Sequence, residues 1–230
     1  MFKLMLIFSM LLLAQGTRAG EENLYDFLWL DPDKSVYVLQ NKIHKKEYSL
    51  YVDVGYLSNL TSAFQDTQGV ALKAGWYFHE EWAIEAMYLG YDNSNNDNFR
   101  NVQLINASVP FVRKPISTTG VGLVWSPFYG KINTFNKIVY FDWSFGAGVA
   151  QVSTESNLRS VRSTSSEDIY LKESYTGGYL KSAVKFHVNS HVHLGVEWVG
   201  TRYMAPGPKN PNNKIMRSNN DLIFQIGFSY

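Results

Sequence analysis

The sequence predicts an all-β fold: an eight-stranded antiparallel transmembrane β-barrel preceded by a short N-terminal periplasmic segment. Three observations carry that prediction. Leu222, Phe224, Ile226, Phe228 and Tyr230 alternate with Ile223, Gln225, Gly227 and Ser229, the period-two pattern of a strand. Seven segments upstream alternate in the same way. The connections between them are alternately short and long, as in a barrel with tight turns at one rim and loops at the other. A core strand of a water-soluble sandwich is the competing reading of the last residues, but such a strand seldom sets five large apolar groups on one face.

From the N-terminus, Lys3 precedes the apolar run Leu4 to Leu13, and Thr17-Arg18-Ala19 supplies small residues at cleavage positions. Residues 1–19 therefore read as a secretory signal peptide. Residues 20–46 form a periplasmic N-terminal segment, in which Leu24, Tyr25, Phe27, Leu28, Trp29 and Leu30 are too apolar for a loose tail. A short helix or plug packing on the rim is expected there. The basic pair Lys45-Lys46 reads as a solvated contact. The barrel is assigned to residues 47–230.

The first strand, Tyr48 to Leu57, sets Leu50, Val52, Val54 and Tyr56 against Ser49, Tyr51, Asp53 and Gly55. The second, Gly69 to Phe78, sets Val70, Leu72, Ala74, Trp76 and Phe78 against Ala71, Lys73, Gly75 and Tyr77. In the third, Glu81 to Tyr91, the outward residues are Trp82, Ile84, Ala86 and Tyr88. In the fourth, Ser117 to Ser126, they are Thr119, Val121, Leu123 and Trp125. The fifth runs from Ile138 to Val152, with Phe141, Trp143, Phe145, Ala147 and Val149 outward. The sixth is Tyr175 to Val188, the seventh His191 to Tyr203, and the eighth closes the chain. Links at His79-Glu80, Pro127 to Lys137 and Asn189-Ser190 read as turns. Those at 58–68, 92–116, 153–174 and 204–220 read as longer polar loops.

Inward positions carry the ionisable residues Asp53, Lys73, Glu85, Asp142, Lys181, Lys185, His187, His193 and Glu197. A lysine or arginine on the lipid face at mid-bilayer costs about 2–4 kcal/mol, and the sorting is what that penalty produces. The interior of an eight-stranded barrel holds side chains and little else. A packed lumen charge network is therefore expected in place of an open channel. The formal net charge of +1 lacks the basic excess of a nucleic-acid binder. Fifteen Tyr, 14 Phe and 6 Trp suit the aromatic girdles of a membrane barrel.

Three stretches carry a family resemblance: Val36-Tyr37-Val38-Leu39-Gln40-Asn41-Lys42, Trp125-Ser126-Pro127-Phe128-Tyr129-Gly130-Lys131, and Phe141-Asp142-Trp143 with Gly146-Ala147-Gly148. Together they resemble the small "outer membrane beta-barrel domain" proteins, a broad porin-like family that includes those of predatory bacteria. The terminal aromatic strand likewise resembles the assembly signal of Gram-negative barrels. The resemblance implies an outer-membrane barrel with no enzymatic activity, outer-membrane lipid as a contact, and barrel-assembly machinery as a partner in biogenesis. It also implies a homo-oligomer, ring-like and trapping lipid. An independent hint is the small outward residues Ala74 and Ala86, then Ala147, Gly178 and Ser182, as possible protomer contacts. Relief of crowding on a curved barrel is the other reading of those positions.

No cofactor or metal is expected. His191 and His193 share a strand face in this reading, with Glu197 beyond, but a polar lumen accounts for them as well as zinc does. A lipid A-modifying hydrolase would need Ser, His and an acid in reach; His187 and Ser190 are the nearest candidates. A small pore, or a barrel whose loops bind a ligand, is the remaining alternative.

Overall fold

The computed structural model describes residues 42–106, 109–134, 137–163, 169–208 and 213–230. The residues expected to form a signal peptide, and the expected periplasmic segment up to residue 41, lie outside them. Eight antiparallel strands close on themselves in chain order. They are β1 (Leu50–Asn59), β2 (Gln65–His79), β3 (Trp82–Asn95), β4 (Arg113–Thr134), β5 (Lys137–Ser156), β6 (Leu171–His187), β7 (Val192–Pro206) and β8 (Lys214–Ser229). β1 pairs with both β2 and β8, from Tyr51 opposite Ser229 to Asn59 opposite Asp221. Closure leaves the barrel without a free edge. The predicted fold is the observed one.

The predicted strands are too short at the loop end. The β2–β3 ladder runs on through Gln65 opposite Asn95, and the β7–β8 ladder through Pro206 opposite Lys214. Beyond the bilayer the outward residues meet water, so the alternation loses its apolar half while the backbone ladder continues. The connecting loops shrink to residues 60–64, 96–112, 157–170 and 207–213. Two of them fold locally. Asn96 accepts a bond from the Phe99 amide at 3.1 Å, capping α1 (Asp97–Asn106). The short α2 (Leu158–Ser163) follows Asn157.

A second correction concerns residues 127–137, read as a link. Pro127 cannot donate to a ladder, and the register shifts between Trp125 and Phe128 to accommodate it. β4 then resumes, with Phe128 opposite Trp143 and Ile132 opposite Val139, down to Thr134 opposite Lys137. A β-bulge rather than a break absorbs the proline, and a long β4–β5 hairpin projects at the turn end.

The barrel is inverted relative to a water-soluble protein. Val52, Val54, Leu72, Ile84, Val121, Leu194 and Ile226 are exposed, while Asp53, Lys73, Glu85 and Glu197 are buried. Of the closing strand, Phe224, Ile226, Phe228 and Tyr230 are exposed and Leu222 is half-buried. Aromatics gather outside at the turn end, with Trp82 against Trp125 at 6.0 Å, Phe128 against Trp143 at 5.8 Å and Trp143 against Phe145 at 5.3 Å. An interfacial girdle is built this way.

Gly227 permits the closest approach inside. A Cβ there would collide with the Asp53 carboxylate and the His193 ring, which meet across it. Gly178, outside, has only the Gly148 carbonyl nearby, at 3.7 Å. Gly227→Ala is therefore expected to destabilise the barrel by about 1–3 kcal/mol, seen as a lower urea midpoint in detergent micelles. Gly178→Ala should leave that midpoint unchanged.

Candidate functional site

The site is the lumen, built in layers from inward positions of all eight strands. At the turn end, Lys46 Nζ meets Asp142 Oδ1 at 2.8 Å, and His187 Nε2 lies 2.7 Å from the other carboxylate oxygen. Lys46 is buried and Lys45 exposed, so the predicted solvated pair splits. The backbone explains why. The Ser49 amide and hydroxyl both donate to the Lys46 carbonyl, at 2.9 and 2.6 Å, with Tyr48 at φ 59° between them. The Lys46 and Glu47 amides donate to Glu80 at 3.0 and 3.1 Å. This tight turn aims Lys46 into the barrel mouth. His44 stacks on His187 at 4.5 Å and meets Tyr140 edge-on at 5.5 Å.

In the next layer Asp53 accepts from Lys185 at 2.7 Å and lies 2.6 Å from His193 Nε2. Lys185 also sits 4.0 Å over the Tyr51 ring. The central layer is a chain of charges. Tyr51 donates to Glu85 at 2.7 Å, and Lys181 bridges Glu85 at 2.5 Å and Glu197 at 3.3 Å. Lys73 reaches Glu197 at 2.6 Å and donates to Gln225 at 2.6 Å. Four lysines (46, 73, 181, 185) thus face four carboxylates (53, 85, 142, 197), and buried charge at this density persists only when paired.

Above the charges lies an apolar layer of Leu57, Ala71, Met87, Leu89, Ala150, Tyr179, Val199 and Ile223. Above that, Asp221 accepts from Asn59 at 2.7 Å and Tyr91 at 2.8 Å; among the described residues no cation pairs with it. At the loop end Arg113 binds Glu173 at 3.1 Å, and Tyr175 donates to the same carboxylate at 2.9 Å.

All eight residues expected in the lumen network therefore lie inside the barrel and contact one another or Lys46. Sequence reasoning missed Lys46, Asp221, Arg113 and Glu173. Asp221 was findable, since it continues the inward series of Ile223, Gln225 and Gly227. Lys46 carried no such signal because it precedes β1.

The candidate protomer contacts lie on the outer face in two places. Ala74 pairs directly with Ala86. Ala147 and Gly178 floor a groove of about 440 Å³ that Leu180, Trp198 and Arg202 also line. Ser182 accepts a bond from the Trp143 indole at 2.9 Å.

His191 and His193 do not share a face. β7 begins at Val192, which leaves His191 outside, stacked on Phe228 at 5.7 Å, while His193 points in. Among the described residues no group of three His, Asp or Glu side chains is placed to hold a metal. Ser190 lies 3.0 Å from His191 Nδ1, whereas His187 belongs to Asp142; the two histidines serve different partners.

No family model matches the sequence, and no curated protein matches it. Solved structures do. The N-terminal β-barrel domain of Pseudomonas aeruginosa OprF aligns with a TM-score of 0.50 and 9% identity, over 80% of this chain and 98% of that one. P. aeruginosa OprG aligns at 0.45 with 10% identity, over 81% and 97%. Neisserial surface protein A aligns at 0.43 with 11% identity, over 79% and 94%. The likeness to OprF is one of fold. A closed eight-stranded barrel, apolar outside and charged within, belongs to the bacterial outer membrane.

Two outcomes follow from this geometry. Glu197→Gln leaves Lys73 without its carboxylate and should cost about 3–5 kcal/mol in urea unfolding from vesicles; adding Lys73→Met should recover most of that loss. The second concerns His44. Burial, then the neighbouring His187, lowers its pKa from the ordinary 6.5, with Asp142 opposing. A histidine that binds its proton less tightly when docked supports docking fully above about pH 6.5 and loses that support as pH falls. A spin label at Lys45→Cys should accordingly become more mobile between pH 7.5 and 5, and His44→Gln should flatten the response.

Proposed function

We propose that this chain is a non-enzymatic, porin-like structural barrel of the outer membrane. Its lumen is filled by the charge network, and it self-associates into a ring-like homo-oligomer that contacts or encloses lipid. The observation that carries the filled-lumen reading is the stack of interlocked layers, with Lys46 inserted at the turn end, the lysine–carboxylate chain at the centre and the apolar layer above. A steady ion path would require breaking several buried pairs at once, each removal costing about 3–5 kcal/mol.

Support for association comes from outside the barrel. Two small-residue patches, Ala74 with Ala86 and Ala147 with Gly178, lie on different strand pairs. Small residues let backbones approach in lipid. Two different patches give a head-to-tail contact, and such a contact closes into a ring when its rotation permits. Short turns would face the periplasm and the loops the exterior.

The chain contains no cysteine, which makes the test direct. In planar bilayers the protein should give no steady current; sustained single-channel steps would transfer the assignment to a pore. In native membranes, Ala74→Cys combined with Gly178→Cys should oxidise to a ladder of crosslinked multimers. Monomer alone under oxidising conditions rejects the ring.

A further inference from the structure

The loop end of the barrel contains a cavity of about 240 Å³ between the first loop, the residues leading into β4, and the outer parts of β7 and β8. Arg113, Arg217, Phe111 and Tyr203 line it. The Phe111 ring lies 5.3 Å from the Arg113 guanidinium and 5.8 Å from that of Arg217, so both like charges lie against one ring. The chain on either side of Phe111 is tied down. The Asn157 side chain accepts from the Val112 amide at 2.9 Å and donates to the Pro110 carbonyl at 2.9 Å, clasping both neighbours of Phe111, and Asn157 is fully buried.

The charges do not balance. Arg113 uses Nε and Nη2 on Glu173, and Nη2 also donates to the Pro206 carbonyl at 3.2 Å. Its side chain is 6% exposed, yet its Nη1 is buried without a partner, as is Arg217 Nε. Among the described residues Arg217 forms no ion pair. Glu173 thus serves Arg113, and among the described residues Arg217 has no carboxylate of its own. Asp221, one layer further in, has its oxygens taken up by Asn59 and Tyr91. Buried donors left unmade cost free energy, and guanidinium forks match oxyanions better than any other side chain does.

We propose that this outer cavity is a binding site for an oxyanion group, phosphate or carboxylate, held between Arg113 and Arg217 with Phe111 as a fixed platform. The group belongs to a small solute or to a lipid headgroup reached over the rim. A cavity of about 240 Å³ admits one such group with its immediate carrier. The site is independent of the charge network below the apolar layer, so it stands whether or not the lumen conducts.

The test uses the full mature chain folded in detergent micelles, with arginine Nε–Hε resonances followed by NMR. Titration with inorganic phosphate, at ionic strength held constant with chloride, should shift the Arg217 and Arg113 signals along one saturable curve. Arg217→Gln should weaken that binding about ten- to a hundred-fold, the loss of one charge-assisted hydrogen bond. Lys172→Gln, an exposed charge elsewhere at the loop end, should leave it unchanged. A parallel arm transfers the protein to phosphatidylcholine vesicles with and without phosphatidylglycerol. Shifts of the same two signals on adding the anionic lipid, without a phosphate response, assign the headgroup as the source. Arginine signals that fail to saturate in either arm, or a response equal in Arg217→Gln and wild type, overturn the site. The wild-type spectra decide the matter even if the variant folds poorly.

Discussion

Everything in this molecule depends on enclosing charge. Acyl chains cannot solvate lysine or carboxylate, so the ionic groups in the middle of the strands point inward, where the lysines and carboxylates pair. The register shows how far that requirement governs the packing. Asp53 lies opposite Lys73 and Asp142 opposite Lys185 in the ladders, yet none of these neighbours pair. Lys73 crosses to Glu197 and Lys185 to Asp53, while Asp142 takes Lys46 and His187. The bonds Lys73–Glu197, Lys181–Glu85, Lys185–Asp53 and His193–Asp53 tie non-adjacent strands together across the lumen, where bonds along a ladder would only duplicate the backbone. Glycine makes the crossing possible at Gly227, and at Gly146, where a Cβ would press on the Lys181 stem at 2.8 Å.

The two ends of the barrel are finished differently. At the turn end, a tight turn before β1 delivers Lys46 and His44 onto the Asp142–His187 pair, and the extended β4–β5 hairpin contributes Tyr140 beside them. The charges there are matched. At the loop end the strands outrun the bilayer, and guanidinium is in excess over carboxylate around a cavity open to the exterior.

Alternation made the fold legible, because a two-sided solvent environment writes itself into every second residue of a strand. It also located the lumen residues from Asp53 to Glu197. Where one of those environments was absent the reading failed. Gln65–Gln68 are polar on both faces, and in Lys214–Asn220 the apolar pair Ile215-Met216 is adjacent rather than alternating, so both stretches read as loops, and Arg217 as a loop residue. Pro127 read as a break because a bulge depends on its partner strand. His191 seemed to share the inward series of His193 only because the start of β7 is set by pairing that the sequence does not display. The cross-lumen partners were illegible for a related reason: side-chain reach across a closed barrel has no counterpart in sequence spacing.

The most direct test asks what wets the exterior. Five tryptophans, Trp76, Trp82, Trp125, Trp143 and Trp198, are exposed on the outer face. With the mature chain folded into vesicles, lipids brominated along the acyl chain should quench their fluorescence strongly, and aqueous iodide should quench it weakly. Strong iodide quenching with no effect of brominated lipid, in a chain whose strands have formed, would contradict the account.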